Sequence, residues 1–296
     1  MTHRFWRLFL HCVFTVAISM TVHAESLRFA AIGDTPYFSD EISNLEKTLA
    51  LMADVEIPFV VHIGDIFSGG EDCSAERYQV RANVFHNTPM PFLITIGDNE
   101  YNDCPEPRTA RQLFRKIILN SPSSHQIVHG SGSSFTPIHV TRQVGLIENA
   151  SWSYKNTDFI MLMLPALPGG SALTRDEINA MLEMNTLFLV KGFKNAKLNN
   201  RDSVVVMMHS DPSECHAYQC SDFNARLKDE VRRFNKPVLL INGSDHDREF
   251  VDTGYQGLNH WAHLRPGNEP AAWWPEVTFS TDTQKYSVTW RDTPYW

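Results

Sequence analysis

The sequence predicts an α/β fold organised around a buried parallel sheet, and three observations carry that reading. Short runs rich in branched apolar residues recur at 27–32, 58–63, 91–96, 204–208 and 238–241. Stretches with apolar residues at helical spacing separate most of them, so strand and helix alternate as they do when crossovers join parallel strands. Each run also stops at side chains able to bind a cation: Asp34, Asp65, Asp98, His209 and the segment Ser244-Asp245-His246. Sites in open α/β sheets form beyond the carboxyl ends of the strands, so these residues can converge although they are scattered in sequence.

The first run leads through Gly33-Asp34-Thr35-Pro36-Tyr37 into a helix with Ile42, Leu45, Leu49 and Met52 on one face, and Asp40 is its expected N-cap. A glycine turn, Ser68-Gly69-Gly70, and a helix over 75–85 connect the second run to the third, and a further helix is expected over 108–119. From about 121 to 148 serine, glycine and histidine dominate. Only 138–144 hints at a strand there, so this stretch is expected to be an irregular surface or active-site insert. The runs 151–154 and 159–164 flank Lys155-Asn156-Thr157-Asp158 and predict a hairpin. Thr174 with Glu177 forms a capping box that opens the longest helix, to about 197. After the strand over 204–208, a helix near 223–234 and the strand over 238–241, a C-terminal hairpin is expected at about 276–291, with tail tryptophans packing against it.

The 296 residues are 43% hydrophobic and 20% charged, ordinary for a globular protein, and no repeat divides residues 25–296. Arg4 and Arg7 precede an apolar stretch and then Val22-His23-Ala24, so residues 1–24 read as a secretory signal peptide. A membrane anchor needs a longer span; a periplasmic or secreted protein free of the membrane is expected. Losing two arginines and no acids takes the formal charge from −8 to −10, a poor match for a nucleic-acid backbone. The cysteines that remain are Cys73, Cys104, Cys215 and Cys220. An even number in an exported chain points to disulfides, and neither pair has the Cys-x-x-Cys spacing of common zinc sites. Cys73 and Cys104 each follow a strand-end candidate and Cys215 and Cys220 bracket a short loop, so those are the expected pairings. Asn149-Ala150-Ser151 and Asn242-Gly243-Ser244 match glycosylation acceptors.

Asp34, Asp65, Asp98, His209 and His246 form a mixed oxygen and nitrogen set that suits divalent Mn, Fe, Zn or Mg. Two such cations can share a carboxylate and clamp both oxygens of a phosphoryl displacement. No Gly-x-Ser-x-Gly elbow and no phosphate-binding Gly-x-x-x-x-Gly-Lys loop is present to support a serine hydrolase or a P-loop nucleotidase. His62 reads as a hydrogen-bonded residue beneath the site. Glu100 orients a neighbour, accepts a proton or is a solvated strand-end acid. His125, His129 and His139 read as exposed loop residues.

In order and type, these residues resemble the calcineurin-like metallophosphoesterases, the superfamily of the purple acid phosphatases. Its pattern runs Asp-x-His, Gly-Asp, Gly-Asn-His-Asp/Glu, a lone His, then Gly-His-x-His. Gly64-Asp65 resembles the second block, His209 the lone histidine, His246 the final histidine and Asp34 the opening aspartate. The resemblance implies a four-layer α/β/β/α sandwich of two mixed sheets. It also implies two cations bridged by Asp65, one completed by Asp34 and His246, the other by Asp98 and His209. Asp65 and Asn99 become the catalytic residues, with Asn99 contacting the phosphate or positioning water. The sequence departs from the pattern at Pro36, where a histidine is expected, at Asp98-Asn99 for Asn-His, and at Ser244 for His, with Asp245 and Glu100 as further candidates. The segments Gly33–Tyr37 and Gly97–Cys104 look like an exported bacterial branch. The implied function is metal-dependent hydrolysis of a small-molecule phosphate ester by activated water. The alternative is a non-catalytic binding or scaffold protein that keeps the fold.

Overall fold

Branched apolar runs and amphipathic stretches settle into two stacked sheets in the computed structural model, which describes residues 26–166, 173–212, 220–270 and 272–294. In chain order these are β1 (Leu27–Ile32), α1 (Ser39–Asp54), β2 (Val60–His62), α2 (Ala75–His86), β3 (Phe92–Ile94) and α3 (Pro107–Leu113), which runs into a π-helical turn at Phe114–Ile118. Then follow β4 (His125–Val128), β5 (Ile138–Gln143), β6 (Leu146–Tyr154), β7 (Thr157–Met161), α4 (Arg175–Leu198), β8 (Ser203–Met207), α5 (Cys220–Phe234) and β9 (Val238–Ile241). The chain closes with β10 (Arg248–Val251), β11 (Trp261–Pro266), β12 (Trp273–Ser280) and β13 (Lys285–Asp292).

One sheet has the order β13-β12-β1-β2-β3, the other β10-β11-β9-β8-β7-β6-β5-β4. Strands β1, β2 and β3 run parallel, as do β7, β8, β9 and β11, while the hairpin strands pair antiparallel. Both sheets are therefore mixed, and helices cover their outer faces in an α/β/β/α sandwich. Apolar side chains on the two inner faces form the central core, where Phe29 of β1 meets Phe59 and Phe159 at 5.4 Å between ring centroids. Leu45, Leu49 and Met52 of α1 are buried against the outer-face core. Among the described residues no helix is long and apolar enough to cross a membrane.

The capping box forms at α4: Thr174 Oγ1 accepts the Glu177 N–H, and Glu177 accepts the Thr174 N–H. The helix α1 begins at Ser39, so its N-cap is Phe38 and Asp40 falls in the first turn, where Glu41 reaches back to accept the Tyr37 N–H at 2.6 Å. The stretch at 121–148 differs from the irregular insert expected. It contributes β4, β5 and the start of β6, which extend the second sheet to its outer edge. Its exposed outer face makes these strands polar, so they lack the continuous apolar run that marked the central ones. His125, His129 and His139 are exposed there, on the edge opposite β10. Asn149 and Asn242 are buried and hydrogen-bonded, and so closed to glycosylation in the folded chain.

Cys73 and Cys104 form a disulfide with Cα atoms 5.9 Å apart, closing a 31-residue separation. Both sulfurs lie against the Asn99 carbonyl, at 3.8 and 3.5 Å. Cys215 and residues 1–24 lie outside the described residues. Replacing both Cys73 and Cys104 by serine is expected to lower stability by about 2–4 kcal/mol, from the loop entropy returned to the unfolded chain. Urea melts of oxidised wild type and the double variant check this.

Candidate metal centre

Three loops of the first sheet and two of the second meet at one end of the sandwich. Backbone bonds beyond the strands hold the loops in register: Asp34 N–H to Gly64 O at 2.9 Å, and Gly243 N–H to His209 O at 2.8 Å. Asp34, Asp65 and Ser244 all have positive φ, at 54°, 58° and 72°. Such backbone is costly outside glycine and recurs where a site over-determines it. Glycine is required beside these turns, since a Cβ on Gly243 would sit 2.6 Å from Asp34 Oδ2, and one on Gly97 would overlap the Asp65 carboxylate.

Asp34, Asp65 and His209 are buried, and one ligand atom of each lies within 4.8 Å of the others. Asp98 Oδ1 is 2.8 Å from His209 Nε2, and Asp65 Oδ1 is 3.5 Å from it. These are charge contacts and not hydrogen bonds: Asp34 Oδ2, Asp98 Oδ1 and His209 Nε2 are buried and lack a hydrogen-bond partner. His209 Nδ1 donates to the Ile63 carbonyl at 3.0 Å, which turns Nε2 to the cluster, the usual support for a metal-binding imidazole. Burial alone would lower the His209 pKa, but Asp65, Asp98 and Asp34 drive it well above its ordinary value. Burial raises Asp34 to about 6, and burial with neighbouring acids raises Asp65 well above the carboxylate range. Several acids thus surround one imidazole with orphaned oxygens, and a divalent cation fits that demand.

The supporting residues are also specific. Glu100 is fully buried and accepts the N–H groups of Asp65, Ile66 and Gly97 at 3.2, 3.1 and 2.6 Å. It anchors the Asp65 loop to the Asp98 loop, and burial raises its pKa to about 7. His62 accepts the Gly64 N–H on Nδ1 at 3.1 Å, which leaves Nε2–H to donate to the Thr35 carbonyl at 2.7 Å; burial lowers its pKa to about 4. Asn99 donates its backbone N–H to Asp65 Oδ1 at 3.1 Å and an amide N–H to the Phe67 carbonyl at 2.8 Å.

The triad mixes residues that the resemblance divides between two cations. His246 is exposed and reaches the triad through Tyr37: its Nε2 is 3.1 Å from the Tyr37 hydroxyl, which lies 3.4 Å from Asp34 Oδ1. Ser244 contributes its backbone N–H to Asp34 Oδ1 at 3.3 Å. Asp245 is not brought in, since its carboxylate pairs with Arg265 of β11 at 2.5 Å. Tyr37 was not among the sequence candidates. Its place directly after the departing Pro36 is the signal that could have found it.

The chain belongs to the calcineurin-like phosphoesterase family, which it matches over residues 27–248. Among solved structures it is similar to a dimetal phosphatase from Danio rerio, with 12% identity and a TM-score of 0.57 over 90% of this chain and 99% of that one. It is similar also to the purple acid phosphatase PPD1 of yellow lupin seeds, with 12% identity and a TM-score of 0.56 over 91% of this chain and 52% of that one. A third likeness is to GAP50, the anchor in the inner membrane complex of Plasmodium, with 14% identity and a TM-score of 0.55 over 90% and 84%. At these identities the shared property is the fold. No curated protein matches the chain in sequence.

Proposed function

We propose that the chain is an exported metal-dependent phosphoesterase that hydrolyses small phosphate esters in the periplasm or outside the cell. The observation that carries this reading is the buried Asp34, Asp65 and His209 cluster, in which Asp34 Oδ2 and His209 Nε2 have no hydrogen-bond partner. Asp34, Asp65 and His209 would hold a divalent ion, with Asp98 and His246 beside them for a second. Bound there, Mn, Fe, Zn or Mg supplies Lewis acidity at a phosphoryl oxygen and makes water more acidic.

The remaining chemistry belongs to the chain. Glu100 and neutral His62 hold the turns that aim Asp65 and Asp34. Tyr37 keeps its proton, because burial and the surrounding acids raise its pKa, and its hydroxyl can donate between Asp34 and the substrate. Asn99 has a second amide N–H for a phosphoryl oxygen, but no proton to give a leaving group. General acid catalysis contributes about 10²–10⁴-fold. Aryl phosphates, which leave without a proton, are therefore expected to outpace alkyl phosphates by a factor in that range. Comparing both ester types in wild type and Asn99→His, which should narrow the gap, is the check.

The scaffold reading draws on Pro36 and on the Asn99 amide tied to Phe67, and one structural neighbour is titled an anchor. An assay of metal-stripped protein resupplied with each of the four metals separates the two. Metal-dependent release of phosphate supports the enzyme; bound metal without turnover on any ester selects the scaffold. Export is tested by fractionating cells that express the full chain.

A further inference from the structure

Arg248 opens β10 two residues after His246, and its guanidinium lies 4.8 Å from the ring centre of Trp273 and 5.6 Å from that of Trp290. The two indoles meet edge to face, at 5.3 Å and 84°. Strand registers place this group at the metal end of the sandwich: Arg248 pairs with Pro266 of β11, two residues beyond the pairing of Leu264 with Ile241 of β9. β12 pairs Glu276 with Ala30 of β1, so Trp273 falls just beyond Ile32, at the level of Gly33-Asp34. β13 carries Trp290 opposite Pro275, and Phe250, on the same face of β10 as Arg248, packs into the core between the sheets. Gly267 sits where Trp273 and the His246 loop meet: a Cβ there would overlap the Trp273 ring and lie 3.2 Å from the His246 carbonyl.

A guanidinium lying over an aromatic ring makes a cation–π contact that uses up none of its N–H groups. Its N–H donors lie in the plane and stay free for a forked contact with an oxyanion. Among the described residues no acceptor takes any N–H of Arg248, and no carboxylate pairs with it, whereas Arg265 nearby is bound to both Asp245 and Glu249. The metal cluster at the same end of the sandwich is acidic and has no arginine or lysine of its own among the contacts described. A doubly charged phosphoryl group approaching such a cluster gains from a fixed positive charge on its outer side.

We infer that Arg248, held by Trp273 and Trp290, is a substrate-binding residue that grips a phosphoryl oxygen and favours dianionic phosphate monoesters over monoanionic diesters. This rests on the phosphoesterase reading and adds the substrate class to it. The forked donor geometry is an arginine property, so lysine replaces the charge without the grip.

The test measures inorganic phosphate binding by titration calorimetry on Mn-loaded wild type, Arg248→Gln, Arg248→Lys and Trp290→Leu, alongside kcat/KM for an aryl monoester and a bis-aryl diester. Arg248→Gln is expected to weaken phosphate at least tenfold and to lower the monoester-to-diester ratio by a similar factor. Arg248→Lys should recover part of the affinity, and Trp290→Leu, which keeps the charge, should lose part of it. Equal phosphate affinity in wild type and Arg248→Gln overturns the inference, as does an unchanged ester ratio or no phosphate binding by wild type. If wild type still hydrolyses both esters in those cases, the phosphoesterase reading stands and only the role of Arg248 falls. If no ester is hydrolysed yet phosphate binding depends on Arg248, the catalytic reading fails and the anion site remains.

Discussion

Asp65→Asn is expected to cross the wild type in stability, melting higher without metal and lower with it, while hydrolysis is lost. Asp65 is buried at the end of β2 among Asp34, Asp98 and Glu100, with His209 as the nearest group of opposite charge. Asparagine keeps the oxygen that accepts the Asn99 N–H and removes the charge. In metal-free protein that relieves repulsion among buried acids, a gain on the order of 1 kcal/mol, or about 2–4 °C in Tm for a domain near this size. With Mn present the sign reverses. Even supporting residues around metal ligands are worth about 10–100-fold in affinity, so removing a central ligand should cost at least about a hundredfold, and wild type alone gains the ligand-linked stabilisation. Thermal melts of both proteins with and without Mn give the four temperatures. Parallel shifts in the two proteins would show that Asp65 does not hold the cation.

The second large effect is expected far from the chemistry. Glu148 of β6 is fully buried and accepts four bonds, from Arg111 at 2.5 and 3.0 Å and from Arg115 at 2.7 and 2.9 Å. These tie α3 and its π-helical turn, which follow the Asp98 loop, to the second sheet. Glu148→Gln leaves two guanidiniums sharing one carbonyl oxygen, and breaking a buried pair from one side costs about 3–5 kcal/mol. Arg111 and Arg115 retain some water access, so the lower end of that range is expected. The pH dependence follows from direction. Burial alone would raise the Glu148 pKa, but the two arginines hold it below its ordinary 4.5. Its contribution is therefore complete above about pH 4.5, where the unfolded acid is ionised, and is lost as pH falls through the lower folded value. Urea melts at pH 7 and pH 3 should show the gap between wild type and Glu148→Gln closing in acid. A gap unchanged at pH 3 would refute the ion-pair account.

What could be read from the sequence follows from how each feature encodes itself. β1, β2, β8 and β9 are covered on both faces, so their apolar runs stood out, and the residue ending each run was the site candidate. Edge strand β4 and its neighbour β5 alternate polar and apolar residues over short lengths, and glycine and serine around them mask that period. The candidate ligand types were legible because Asp34, Asp65, Asp98 and His209 follow strand ends. Their grouping was not, because it depends on how two sheets meet. Asp245 shows the limit: sequence places it beside His246, while Arg265 of β11, a strand away, turns its carboxylate aside. Glu100, Tyr37 and Arg248 owe their places to partners distant in sequence, respectively the Asp65 loop, His246 and the paired tryptophans.

The central claim is that the buried acids and His209 form a cation site. Equilibrium dialysis of metal-stripped wild type against Mn, with bound metal counted by atomic absorption, tests it most directly. The account predicts saturable uptake of at least one ion per chain in wild type and its loss in both Asp65→Asn and His209→Ala. Uptake that is absent in wild type, or equal in all three proteins, would contradict it.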